Sequence, residues 1–189
     1  MVTAAGQAIT KPINGGGPNA ALCKDARQKP TDQDPENGSS VGILLTYNKF
    51  RFVDLGDLPW AKELELMCPV NKLGKADIYI ATHHGFNFSG SQALVYGIAA
   101  RVAIMENGAK KGGSPSAWDI VHSAPGLSSL YQLHWSEEGG AAHNSAPEFL
   151  ANLDGPDGGH YFKITAHQDG SFDVLNSRTG KTKSYSPHM

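Results

Sequence analysis

The chain has 189 residues, of which 40% are hydrophobic and 18% charged, and its formal net charge is −2. This composition predicts one soluble globular domain with a core of its own, and the absence of a basic surplus gives no support to nonspecific nucleic-acid binding. We expect neither a membrane segment nor a signal peptide, because the chain lacks a run of roughly 20 apolar residues and a basic start followed by an apolar stretch. The compartment stays open.

The first 39 residues predict little regular structure. Residues 2–10 are a candidate strand, and the polar, Gly/Pro-rich segment from Pro12 to Gly38 predicts a long loop. We therefore divide the chain into an N-terminal unit, 1–39, made of a strand remnant and a long loop, and a folded unit, 40–189.

Regular structure is expected from Ser40 onward. The continuous apolar run Val41–Tyr47 predicts a strand buried on both faces. Asn48-Lys49 predicts a tight turn into a second strand, Phe50–Val53. Trp60–Met67 has the apolar spacing of a helix, and Ala76–Ala81 is the next strand.

The second half alternates between helices and strands and then ends in a hairpin. Ser89 or Ser91 is expected to cap a helix that runs to about Ala100, and Ser114-Pro115 marks another helix start. The remaining predictions are a strand at Arg101–Met105, a helical turn at Leu127–Leu130, a strand at Tyr131–Trp135, a short helix at Pro147–Leu153, a hairpin of His160–Ala166 with Ser171–Leu175, and a last strand at Lys183–Tyr185. This order predicts an α/β (α+β) fold with a mixed β-sheet and helices on one face.

Polar residues of the kind that bind metals follow two of these strands. Asp57 comes after Gly56 at the end of one strand, and Asp54 precedes it by three positions. Either carboxylate is equally explained as a turn cap that accepts backbone hydrogen bonds.

The next strand ends in the adjacent pair His83-His84. On a continuing strand these two side chains would point in opposite directions, so only one is expected to be a ligand. A hydrogen-bonded pair without metal is the alternative. The other six histidines have no ligand spacing and are read as ordinary structural or surface residues; they are His122, His134, His143, His160, His167 and His188.

The loop from Asn107 to Ser114 is rich in glycine and lysine. Lys110, Lys111 and the helix start at Ser114 resemble an anion cradle, although the order of a P-loop is absent and a plain connecting loop explains the same residues. Cys23 and Cys68 have no zinc-ligand spacing. Two free thiols and one loop-closing disulfide both remain open.

Together these motifs resemble the metallo-β-lactamase fold, and within it the ComEC-like branch related to the soluble domain of bacterial competence proteins. The resemblance lies in the segment Asn37-Gly-Ser-Ser40, in the pattern FxxLGD that ends at Asp57, in THHG at residues 82–85, and in the closing hairpin with DGSF. It implies an αββα sandwich in which one or two metal ions, usually zinc, activate water for hydrolysis.

The resemblance also implies roles for particular residues. Asp57 matches the metal-bridging carboxylate, and the histidine pair matches a late ligand, with His84 preferred over His83 and both kept as candidates. Asn37 and Ser40 match a polar motif near the site. In this reading Asp57 and His84 are the catalytic pair, and the weak substrate-binding candidates are Asn37, Ser40, Lys110, Lys111 and Ser114.

The chain departs from the family by lacking HxHxDH, the motif that supplies most of the metal ligands. Catalytic zinc needs three protein ligands and a water molecule, and Asp57 with one histidine is too few. We therefore expect the C-terminal half of such a domain, with an uncovered inner sheet face and no activity unless a missing N-terminal half-domain or a homodimer completes it. The alternative is a truncated, non-catalytic interaction or dimerisation domain. A weaker alternative is an anion-binding module.

Overall fold

The computed structural model describes residues 1–24, 32, 34–156 and 158–187. The strands are β1 Thr3–Ala4, β2 Gln7–Ala8, β3 Gly17–Pro18, β4 Ile43–Tyr47, β5 Phe50–Asp54, β6 Val70–Asn71, β7 Ile78–Ile80, β8 Val102–Met105, β9 Ser129–His134, β10 Leu150–Asn152, β11 Phe162–Ala166, β12 Phe172–Asn176 and β13 Lys181–Tyr185. The helices are α1 Ala20–Cys23, α2 Trp60–Met67, α3 Gln92–Ile98 and α4 Pro115–His122. Short 3-10 helices occupy Asn37–Ser39, Thr82–Gly85 and Pro147–Phe149.

A six-stranded mixed sheet forms the centre of the fold, in the order β10-β9-β8-β7-β5-β4. Strands β5, β7, β8, β9 and β10 run parallel to their neighbours, and β4 pairs antiparallel with β5 through the predicted turn at Asn48-Lys49. The carboxyl ends of the parallel strands therefore meet at one rim of the sheet. This arrangement confirms the predicted mixed sheet.

Helices α2, α3 and α4 cover one face of this sheet. Alternate strand residues such as Tyr79 and Met105 point to this face and pack with Leu66, Leu94 and Trp118 of the three helices. The prediction of helices on one face is confirmed. No helix in the described part of the chain is long and apolar enough to span a membrane.

A separate three-stranded sheet, β11-β12-β13, lies against part of the opposite face. Its Phe172 ring lies 5.4 Å from that of Phe50 and stacks at 4.9 Å on Tyr185. Ile78 and Val102 of the central sheet are fully buried beneath this layer. The expectation of an uncovered inner face is therefore wrong for the part of the sheet beneath this layer, which the closing hairpin and β13 cover.

Strand β4 contradicts the prediction of a strand buried on both faces. It is the last strand of the sheet, and the exposed fractions of Val41, Ile43, Leu45 and Tyr47 are 60%, 37%, 48% and 42%. Only Leu44, on the opposite face, packs against the helical core. A continuous apolar run does not reveal whether a second layer reaches both faces, so the prediction was wrong here.

Two further elements differ from the predictions. The predicted helical turn Leu127–Leu130 is not formed, and its last two residues, Ser129 and Leu130, begin β9. The predicted helix Pro147–Leu153 is one 3-10 turn followed by β10, which pairs parallel with β9. Short apolar runs do not distinguish a helix from a buried strand, and pairing with β9 decides the outcome.

The N-terminal segment holds more structure than expected. Strands β1 and β2 form a small hairpin. Strand β3 lies within the predicted loop Pro12–Gly38 and pairs with β6, which follows helix α2. Within that loop, residues 25–31 and 33 lie outside the described part of the chain. Cys23 and Cys68 form a disulfide, with their Cα atoms 5.8 Å apart, which resolves the open alternatives in favour of a link between α1 and the end of α2.

Candidate functional site

The two histidines lie in a left-handed turn at the rim of the sheet. Strand β7 ends at Ile80, and His83, His84 and Gly85 then adopt φ values of 54°, 56° and 75°. Left-handed backbone costs about 1–3 kcal/mol for each non-glycine residue, so the surrounding structure must hold this turn in place. The side chains therefore do not alternate as on a strand, which corrects that part of the prediction.

Buried polar groups hold the turn from the helical side. The Tyr79 hydroxyl lies 2.7 Å from Thr82 Oγ1 and accepts a hydrogen bond from the Thr82 N–H at 2.9 Å. The fully buried Glu63 carboxylate accepts hydrogen bonds from the N–H groups of Gly90 and Ser91, each at 2.7 Å. Burial raises the pKa of Glu63, and burial and the nearby Glu63 charge raise the pKa of Tyr79.

His84 faces Asp57 across the rim. Its Nε2 atom lies 3.4 Å from Asp57 Oδ1, and its Nδ1 atom lies 3.0 Å from the backbone oxygen of Glu106. A carbonyl oxygen only accepts hydrogen bonds, so Nδ1 carries the proton and donates it. In the neutral ring, Nε2 then directs a lone pair toward a carboxylate.

Both side chains are partly exposed, so water can donate hydrogen bonds to the Nε2 atom and to the Asp57 carboxylate. A bound cation would also satisfy both groups. A tetrahedral zinc ion with bonds of about 2.0–2.2 Å separates such ligand atoms by about 3.3–3.5 Å. The observed separation of 3.4 Å therefore fits two ligands of one zinc ion.

His83 belongs to a different cluster from His84. Its Nδ1 atom lies 3.7 Å from Asp32 Oδ2 and 3.5 Å from Ser89 Oγ. The Asn37 side chain donates to the same Asp32 oxygen at 2.8 Å. The predicted residues His83 and Asn37 thus both contact Asp32. The sequence did not indicate Asp32, because the pattern of a polar loop does not show which of its carboxylates will lie near the site.

Other carboxylates add negative charge to this rim. Asp54 lies on the same face of β5 as Phe52, and it caps a turn by accepting from the Gly56 N–H at 2.9 Å. Partial burial raises the pKa of Glu106, the Asp54 charge raises it further, and His84 lowers it. Asp54 thus has the turn-capping role that the sequence left open, and Asp57 faces the histidine.

The glycine-lysine loop braces the histidine turn. Gly113 N–H donates to the His84 carbonyl at 3.0 Å, and Ser114 N–H donates to the Gly85 carbonyl at 2.9 Å. A Cβ atom at Gly112 would lie 2.1 Å from the His84 oxygen, so only glycine allows this approach. Two N–H groups that an anion would need are therefore already hydrogen-bonded.

Acidic neighbours also occupy the predicted anion cradle. Ser114 Oγ donates to Glu138 at 3.2 Å, and Lys110 Nζ lies 3.8 Å from Glu137. Lys111 is exposed. These contacts make the loop a support for the site and leave little positive potential for an anion.

The remaining predicted residues are scattered over the fold. Ser40 donates its N–H to Asn37 and accepts from the Thr3 hydroxyl through its carbonyl, so it braces the start of β4. His143 pairs with Asp119 at 3.5 Å, and His122 stacks on Trp118. His188 lies outside the described residues.

The described residues do not complete a metal site. They contain no group of three or more His, Cys, Asp or Glu side chains placed to hold one ion. Asp57 and His84 fit zinc as a pair, and a catalytic zinc site needs at least one further protein ligand. Comparison with protein-family models, with curated proteins and with solved structures finds no match for this chain.

Proposed function

We propose that this chain supplies Asp57 and His84 as two ligands of a zinc site in a hydrolase that resembles the metallo-β-lactamase fold. The remaining ligands would come from another polypeptide segment. The observation that carries the proposal is the 3.4 Å separation of Asp57 Oδ1 and His84 Nε2 combined with the fixed Nδ1 proton. A hydrogen bond from the second ring nitrogen to a carbonyl orients a metal-binding histidine and strengthens it as a ligand.

Zinc bound at such a site would supply Lewis acidity and lower the pKa of a bound water. The chain's own residues would hold and orient the ion. Asp57 would contribute negative charge, and the braced turn at 82–85 would keep His84 pointed at the rim. Two protein ligands bind zinc weakly, so the chain alone is expected to be inactive.

Zinc titration by calorimetry tests the ligand assignment. We expect weak binding of one ion to the chain, and loss of that binding in His84→Ala and in Asp57→Asn. His143→Ala is the matched control, because His143 faces Asp119 at a similar distance without the Nδ1 contact found for His84. Equal zinc affinity in His84→Ala and the unmodified protein would refute the assignment.

Reconstitution tests the hydrolase part of the proposal. The chain is mixed with an HxHxDH-bearing half-domain of the metallo-β-lactamase fold and assayed with phosphodiester, lactam and thioester substrates. We expect zinc-dependent turnover that requires His84. If the mixture binds zinc no more tightly than the separate chains and shows no turnover, the proposed completion is wrong.

A second candidate function is a non-catalytic interaction domain, and the exposed apolar side chains on one face of β4 favour it. Ile43, Leu45 and Tyr47 pair with Asp54, Phe52 and Phe50, so they lie on the face that the second layer only partly covers. In the described part of the chain, the one isolated bridge on this side of the sheet joins Thr3 to Gly42, the residue before β4. Exposed apolar edge strands are ready sites for association.

Sedimentation of variants tests this alternative. If the apolar face of β4 mediates self-association, Leu45→Lys should shift the protein to the monomer. Thr46→Lys is the matched control, because Thr46 is also exposed but points to the opposite face of the same strand. A protein that stays monomeric at every concentration would exclude homodimerisation through β4.

A further inference from the structure

A pocket of about 300 Å³ lies between the central sheet and the C-terminal sheet, on the face opposite the helices. Ile80 and Ile104 form its buried floor. Phe52, Tyr161 and Phe162 add three aromatic rings to its walls. The volume is at the small end of the range for ligand sites, so the pocket accommodates one ring or a short branched chain.

The mouth of the pocket is polar and negative. Glu106 lines the pocket with its side chain only partly buried, and the ion pairs of lysine and arginine in the described part of the chain do not include its carboxylate. Asp54 follows Phe52 by two positions on β5 and therefore lies on the same face of the sheet. Tyr161, with 56% of its surface exposed, is the outermost aromatic residue of the lining.

Aromatic walls beside a carboxylate that has no lysine or arginine partner among the described residues select ligands by charge. Ring faces attract cations, and the carboxylate adds a direct ion pair. A ligand anion would be repelled by Glu106 and Asp54, and a neutral ligand would gain from the apolar walls alone. The lining therefore favours a ligand with an apolar body and a positive head.

We propose that this pocket binds an organic cation, with an aromatic or short aliphatic group between the two sheets and an ammonium group at the Glu106 carboxylate. Binding in this pocket uses neither Asp57 nor a metal ion. The proposal therefore stands apart from the zinc hypothesis, and each of the two can fail without the other.

Three probes of matched shape test the charge preference. Benzyltrimethylammonium, benzyl alcohol and phenylacetate are titrated into the metal-free protein in the presence of EDTA, with binding followed by NMR of isoleucine methyl groups. We expect the cation to bind about fivefold to tenfold more tightly than the neutral probe and the anion to bind most weakly. The shifts should be largest at Ile80, Ile104 and Ile164, which line the pocket.

Variants assign the preference to the pocket. Glu106→Gln should remove the advantage of the cation and leave binding of the neutral probe unchanged, and Tyr161→Ala should weaken both probes. Glu148→Gln is the control, since this exposed glutamate lines a different pocket. Equal binding of cation and neutral probe, an unchanged preference in Glu106→Gln, shifts elsewhere in the protein, or no binding of any probe would each overturn the proposal.

Discussion

The disulfide between Cys23 and Cys68 is predicted to contribute a large share of the stability of the domain. It closes a loop with a sequence separation of 45 residues. For a loop of this length, the lost entropy of the unfolded chain corresponds to about 4 kcal/mol at 25 °C. Helix α1 has no fully buried residue, although Leu22 packs against the core, and Asn19 donates to the Met67 and Ala93 carbonyls, so the disulfide links a segment that also contacts the domain through other residues. We expect the double variant Cys23→Ser, Cys68→Ser to lose about 4 kcal/mol of unfolding free energy.

Urea denaturation followed by tryptophan fluorescence measures this loss. The unmodified protein with reductant should match the double variant, and reductant should not change the variant further. Thiol titration of the unfolded, unreduced protein should detect no free cysteine. A loss of less than about 1 kcal/mol, or two reactive thiols, would refute the argument from loop entropy.

Three further perturbations have defined outcomes in the same denaturation assay. Gly112→Ala should cost about 1–3 kcal/mol more than Gly126→Ala, because both glycines are left-handed but only a Cβ at Gly112 meets the His84 oxygen. Equal losses would refute the clash. Asn19→Ala should cost about 2 kcal/mol, since it removes two buried hydrogen bonds to backbone carbonyls; an unchanged midpoint would contradict this. Burial raises the pKa of Glu63 above 4.5, so the folded protein holds this proton more tightly than the unfolded chain. Stability should therefore fall as the pH rises from 4.5 through the raised pKa, and Glu63→Gln should flatten that slope.

The predictions that held are those in which a local signal matches a local structure. The helix at Trp60–Met67 and the turn at Asn48-Lys49 were both confirmed. Ser91 caps α3 by accepting from the Leu94 N–H at 3.2 Å, whereas Ser89 donates to a distant carbonyl. The apolar spacing of a helix, a tight turn and a helix cap each depend on residues that are close together along the chain. The sequence alone is therefore enough to predict them.

In the candidate site, too, some features follow from the sequence and others depend on contacts between distant segments. Strand-end positions indicated that Asp57 and a histidine would lie near one rim, and the structure brings Asp57 and His84 together. Three consecutive left-handed residues, the partnership of His83 with Asp32, and the bracing by Gly112 did not follow from the pattern. Each depends on a segment that approaches from far along the chain.

The sequence by itself determined the alternation of strands and helices, the mixed sheet, and the pair of residues offered as metal ligands. Only the tertiary structure decided that β4 is an exposed edge, that the closing hairpin covers part of the second face, and that the cysteines are joined. It also decided the tautomer of His84, because the carbonyl that accepts its Nδ1 proton is 22 positions away in the chain. Periodicity records which residues prefer burial, but the identity of what buries them or bonds to them is a property of the folded chain.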